Sequence, residues 1–188
     1  TLTEVHADNA YPLRIKLIDF DKDQLTLREN IEASDCRAYL ENETITWIHV
    51  EGNPTEAALR ELGKTFSLHT LVLEDILNTG QRPKIEYFDD QIFVIMNLPL
   101  VENDSVNIQQ TSFFLGKDYL ISFCVGDFTP FEPIVNRLQD KGSRIRSHGA
   151  DLLLYSLLDV VIDQGFPLLE NFSLQLEDLE EQIIESVG

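Results

Sequence analysis

A chain of 188 residues, 43% of them hydrophobic and with 11 Phe, is long enough to bury one proper core and short for two. Its 14 Lys plus Arg stand against 33 Asp plus Glu, a net charge of -19, which repels a phosphate backbone and makes nucleic acid a poor partner. No stretch approaches twenty apolar residues without a charge and no signal-peptide pattern opens the chain, so neither a membrane span nor a leader is expected within it.

In chain order, the alternation LRIKLIDF over 13–20 predicts a strand, joined through Asp21-Lys22-Asp23 to a second over 24–31. ITWIHV over 45–50 predicts a third. Asn53-Pro54-Thr55 then opens a helix, with Pro54 near its first position and Ala57, Leu59, Leu62 and Phe66 as its apolar face. A further helix runs over 70–78, with Leu73, Ile76 and Leu77 as its core stripe and Gly80 as its stop. Paired strands are predicted over 83–88 and 91–98 around Asp89-Asp90, and a hairpin over 111–115 and 119–125 across Gly116-Lys117-Asp118. A short helix over 130–138 follows. From Gly149 the pattern is helical to the end, with a break at Gly165-Phe166-Pro167. The order predicts a layered α/β domain over 1–148 and a helical arm over 149–188. The arm carries an amphipathic stripe of Phe172, Leu176, Leu179 and Ile183, expected either to continue in a longer protein or to await a partner.

Familiar catalytic patterns are missing. Leu62-Gly63-Lys64-Thr65 ends like a phosphate-binding loop, but the loop's first glycine would fall on Ala58 and the segment reads as helix. His6, His49, His69 and His148 are scattered and read as structural, as do Cys36 and Cys124, which are read as reduced, half-buried thiols. An enzyme is not expected. The acids are distributed more tellingly. From Ser147 onward there is no Lys or Arg but there are nine acids, for which a divalent cation or a basic partner is the natural counter-charge. Glu74 and Asp75 lie off the apolar stripe of the 70–78 helix, with Asn78 one turn beyond, an edge of oxygen ligands of the type hard cations prefer. Asp159 and Asp163 stand at i, i+4 on the next long helix, a like-charge spacing that a cation or plain solvent would relieve.

The run His69-Thr70-Leu71-Val72-Leu73-Glu74-Asp75-Ile76-Leu77-Asn78, followed by Gln81-Arg82-Pro83-Lys84-Ile85-Glu86, resembles the cytoplasmic domain of the CorA magnesium and cobalt transporters. The likeness continues through Gln110-Thr111-Ser112-Phe113-Phe114-Leu115, Tyr119-Leu120-Ile121-Ser122-Phe123 and 149–159, about 45–185 in all. Thr70 stands where the family usually has Pro, and it can open the helix instead. The resemblance implies an α/β/α sandwich with a mixed sheet and a helical arm. It also implies a pentamer on the cytoplasmic face of the membrane, with Mg²⁺ (Co²⁺ is also carried) bound between subunits to hold the channel closed. Glu74 and Asp75 match the family's sensor carboxylates and Asp159 a further one; Asp163 is added from its i+4 spacing alone. Arg82-Pro83-Lys84 is expected to fix the return into the next strand and to pair with nearby acids. The stalk, the membrane helices and the Gly-Met-Asn pore signature are expected beyond Gly188. A zinc-transporting relative and a stand-alone acidic interaction module are the alternative readings.

Overall fold

The computed structural model describes residues 11–40, 42–102, 105–126 and 128–187; His6 lies outside them. Strand β1 (Arg14–Phe20) turns into β2 (Leu25–Glu29) because the Asp21 carboxylate accepts the backbone N–H groups of Asp23 and Gln24, both at 2.7 Å. β3 (Ile45–Gly52) lies antiparallel on the other side of β1. After two helices the chain makes an antiparallel meander of β4 (Lys84–Phe88), β5 (Gln91–Glu102), β6 (Ser105–Leu115) and β7 (Tyr119–Val125). β7 closes against β3 in parallel, giving a seven-stranded mixed sheet in the order β2-β1-β3-β7-β6-β5-β4.

Alternation along the strands supplies two cores. Ile48, Val50, Phe93, Ile95, Phe114, Ile121 and Phe123 face one side. There α1 (Glu56–Phe66), α2 (Thr70–Leu77) and the 3-10 turn Ala33–Tyr39 cover them. Trp47, Val94, Phe113, Leu120 and Cys124 face the other. α3 (Glu132–Gln139), the 3-10 turn Arg144–Ser147 and α4 (Ala150–Asp163) cover that side. The central strands are hydrophobic on both faces, as helix cover on both sides requires. The result is an α/β/α sandwich, followed by the long α5 (Phe166–Val187). Length and apolarity alone would let the run Ala150–Ile184 cross a bilayer, but Leu153, Leu154, Leu157 and Val161 are in the second core.

Several boundaries differ from the sequence reading. Thr55, not Asn53, caps α1, accepting the Ala58 N–H at 3.2 Å; Pro54 therefore precedes the cap instead of occupying the first turn, and Ala57 is exposed. On α2 the buried pair is Val72 and Ile76, while Leu77 points outward, 43% exposed. β5 and β6 extend past the predicted ends into a ribbon whose final pair is Glu102 with Ser105. From Met96 onward β5 has β6 alone beside it, an edge position that accommodates Pro99. The break between α4 and α5 falls where expected, with Pro167 in the first turn of α5. Cys36 and Cys124 are free and fully buried, one in each core, and desolvation raises both thiols to about 12.

The end of β3 depends on one glycine. Gly52 has φ +96, and a Cβ there would run into the Pro12 carbonyl. Gly52→Ala combines backbone strain with a steric clash, so urea unfolding should show a loss of roughly 2 kcal/mol or more. A midpoint unchanged from wild type would show that the Pro12 segment yields freely.

Candidate functional site

Helix α2 is set in phase by three anchors. His69 caps it, its Nδ1 accepting the Leu71 N–H at 3.3 Å, and its ring stacks on Phe88 with centroids 5.0 Å apart. Val72 and Ile76 are fully buried, and Leu73 fills the space left by the missing side chain of Gly63 on α1. That phase leaves Glu74 and Asn78 exposed and turns Asp75 toward the sheet edge, half-buried.

There Asp75 is not a free ligand. Its Oδ2 takes the Lys84 ammonium at 2.7 Å, and the same ammonium reaches Glu86 Oε1 at 3.0 Å. The two acids, Asp75 first, hold the Lys84 ammonium above its usual pKa. The side chain of Gln110 ties the helix down from the neighbouring ribbon. Its Nε2 donates to the Asp75 carbonyl at 2.9 Å, and its Oε1 accepts the Gln81 N–H at 3.2 Å. Lys84 therefore pairs with acids as the sequence suggested. Gln110 was missed because a polar residue in a strand gives no signal that its partner is a helix terminus.

Asp159 and Asp163 are exposed on α4, and α4 packs on the opposite face of the sheet from α2. Within one chain the two carboxylate pairs are not brought together. Among the described residues no group of three or more His, Cys, Asp or Glu could hold a metal ion. What one chain offers is an exposed Glu74, an Asp75 shared with an ammonium and, on the far side, two solvated aspartates. Such edges suit a hydrated Mg²⁺ that takes few protein oxygens and keeps water.

A second cluster has the atoms of a catalytic trio without its access. His49 Nδ1 lies 2.8 Å from Ser122 Oγ, and its Nε2 lies 3.0 Å from Thr129 Oγ1 and 3.6 Å from Glu51 Oε2. Trp47 Nε1–H donates to Ser122 Oγ at 2.9 Å, and Ser122 Oγ and His49 Nδ1 share a further hydrogen bond. Ser122 is completely buried, beyond the reach of a substrate. The cluster is a structural clamp between β3 and β7. His49, His69 and His148 all make hydrogen bonds, as structural histidines do.

Desolvation lowers the His49 pKa, and the facing Glu51 only partly opposes it. A depressed folded pKa contributes stability in full above the unfolded value of about 6.5, lost as pH falls toward the folded value. The slope in that window is at most about 1.4 kcal/mol per pH unit. Glu51, held below its usual range first by the His49 imidazole, acts in a separate and more acidic window. Urea midpoints should therefore drop between pH 7 and pH 5.5 in the wild type and less in His49→Gln. Parallel pH profiles for the two proteins would show that His49 does not titrate on unfolding.

Similarity to known proteins identifies the family and the fold. The family model described as "CorA-like Mg2+ transporter protein" matches residues 42–187. The cobalt/magnesium transport protein CorA of Thermotoga maritima is 30% identical over 175 residues, covering 91% of this chain and 49% of that protein. The chain thus spans about half the length of this relative. The complete CorA magnesium transporter of Methanocaldococcus jannaschii superposes with a TM-score of 0.66 at 19% identity, over 90% of this chain and 51% of that one. The soluble domain of the same CorA gives 0.65 at 20% identity, over 90% of this chain and 64% of that one. The fold and the extent of the family match together place this chain in the CorA-like Mg²⁺ transporter family.

Proposed function

We propose that the chain is the cytoplasmic, divalent-cation-sensing domain of a CorA-like Mg²⁺/Co²⁺ transport channel, in which Mg²⁺ held between subunits favours the closed state. The observation that carries this reading is the placement of Glu74 and Asp75 on one face of the sandwich and of Asp159 and Asp163 on the other. A cation that joins the two pairs must join two copies. Unlike surfaces then meet head to tail, the type of contact that closes into a ring and not a two-fold dimer. This agrees with the pentamer that the family resemblance implies. The Thermotoga maritima relative, a cobalt/magnesium transport protein, supports the choice of ion. The greater length of the Thermotoga maritima relative supports a membrane part carried by further residues, and on this reading the domain lies against the inner face of the cell membrane.

Lys84 refines the mechanism. The ammonium neutralises Asp75 in part, so the sensor begins with weak affinity and answers only to abundant Mg²⁺. When the ion leaves, Glu74 repels the acids of the next subunit while Asp75 stays paired. The carboxylate Oδ1 of Asp75 is left for the ion, and Lys84 sets the threshold.

An isolated domain holds half of each shared site. Calorimetry should give a Kd in the range of about 10⁻⁴ to 10⁻³ M or weaker for Mg²⁺. Micromolar affinity would mean that one chain carries a complete site.

In the full-length transporter, the double variant Glu74→Gln with Asp75→Asn removes two charges while preserving shape. Flux measured against internal Mg²⁺ should close at a higher concentration than in the wild type. Lys84→Met should move closure the other way, by about tenfold, because an ammonium about 5 Å from a divalent ion contributes about 1.7 kcal/mol of repulsion in a water-like dielectric, less once salt screens it. Unshifted midpoints in both variants would remove this edge from the sensor.

A further inference from the structure

Two glutamines stand side by side where the β5–β6 ribbon leaves the sheet. Along β6 the residues 105–108 are exposed, and burial begins at Gln109, 9% exposed, and Gln110, 5% exposed. Neighbouring residues of a strand point to opposite faces, so each glutamine enters a different layer. Gln109 pairs with Leu98 of the second core, and its Nε2 donates to the Phe128 carbonyl at 2.7 Å, ahead of α3. Gln110 pairs with Asn97 and turns to the other face, where its amide reaches α2 and the loop behind it.

What Gln110 holds there is the link between the two partners of an ion pair. Asp75 sits in the last turn of α2 and Lys84 opens β4, so the loop 78–83 joins them. Helix α2 has only eight residues, and its final carbonyls have no further turn of N–H groups to satisfy them. The Glu74 carbonyl accepts the Asn78 N–H at 2.9 Å, but the Asp75 carbonyl accepts Gln110 Nε2 instead, also at 2.9 Å. Gln110 Oε1 then accepts the Gln81 N–H from within the loop at 3.2 Å. One amide therefore ties both the helix end and the loop to β6, which pairs with β5 at Gln110 itself and with β7 from Thr111 onward. An ion pair whose two backbones move independently loses its geometry to side-chain entropy, and this clamp opposes that loss.

We propose that Gln110 is the positioning residue of the cation-sensing edge. By fixing the loop between Asp75 and Lys84 it holds carboxylate and ammonium in one relative placement, and so sets how strongly Lys84 competes with a cation for Asp75. The functional consequence rests on the sensing reading above; the placement itself does not.

Gln110→Met keeps length and volume but removes both hydrogen bonds, and Gln109→Met is the matched control on the opposite face. The first measurement uses this chain without metal. Spin labels at Leu77→Cys and Leu27→Cys, both exposed sites in a chain whose own thiols are buried, report how the end of α2 sits relative to the far edge of the sheet. The span is roughly four to six strand spacings, or about 20–30 Å. Gln110→Met should widen the distance distribution at least about twofold, whereas Gln109→Met should leave it at the wild-type width. The second measurement is flux against internal Mg²⁺ in the full-length transporter, arranged as a double-variant cycle. The shift in closing midpoint caused by Lys84→Met, about tenfold with Gln110 in place, should shrink to about threefold or less beside Gln110→Met and stay whole beside Gln109→Met. If Gln110→Met does not fold, Gln110→Asn keeps a buried amide one carbon too short to reach and should give the same two results.

An unchanged distance distribution overturns the inference, and so does an undiminished Lys84 effect beside the Gln110 variant. Equal changes in the two glutamine variants overturn it as well, by reducing Gln110 to a general prop of the sheet. Absence of any Lys84→Met shift with Gln110 intact would be a failure of the sensing reading alone, and the label distances, which involve no Mg²⁺, then decide the placement.

Discussion

The parallel pairing of β3 with β7 is the constraint on which the rest of the molecule depends. It joins two antiparallel halves, one built from β1 to β3 and the other from β4 to β7, that otherwise share no strand. At its centre Ser122 accepts from Trp47 and holds His49, so the seam carries buried polar partners that fit in one register only. A slip by one residue would move every inward side chain to the other face and leave those groups unpaired in a medium where that costs about 1–3 kcal/mol each. Helix cover on both faces follows, because β3 and β7 are apolar on both sides.

Two-sided cover decides what the acids can do. A sheet with helices on one face could gather its carboxylates on a single surface. This one separates α2 from α4 by the thickness of the sandwich, so the two carboxylate pairs lie on opposite faces. The surrounding contacts are asymmetric as well. Asp75 has an ammonium and, through its carbonyl, a glutamine holding it in place, whereas Asp159 and Asp163 stand in solvent. The family is one of Mg²⁺ transporters, and the Ser122–His49 pair is buried at the seam as a structural contact.

Much of this was legible in the residues. Alternation over 13–20 located β1, the strands predicted over 45–50 and 119–125 located β3 and β7, and Gly80 and Pro167 marked real ends. The layered α/β class followed from element order, and the sandwich itself from the family resemblance. The errors have local causes. Leu77 and Val72 are equally apolar, and only packing against α1 and the sheet decides which is buried. The stretch 105–108 conceals a strand because that part of the ribbon is exposed, with no layer over it to demand apolar residues. The acids Glu74, Asp75, Asp159 and Asp163 were identifiable as charges off the apolar faces of helices, but the sequence could not say that Asp75 is half-buried or that the two pairs lie on opposite sides of a sheet. Nor could it show that Lys84 reaches Asp75, since that contact depends on how a strand edge passes beneath a helix.

The two buried thiols make the chain a convenient host for chemical probes. A thiol at about 12 is thiolate to roughly one part in ten thousand at pH 8, whereas an ordinary exposed cysteine with a pKa of about 8.5 is ionised to about a quarter. Alkylating dyes and spin labels would therefore pass over Cys36 and Cys124 in the folded protein and react at any cysteine placed on the surface. Single reporters on α2, α4 or α5 need no prior removal of native cysteines. The wild-type sequence can serve as its own background for measuring distances between labels placed on these helices.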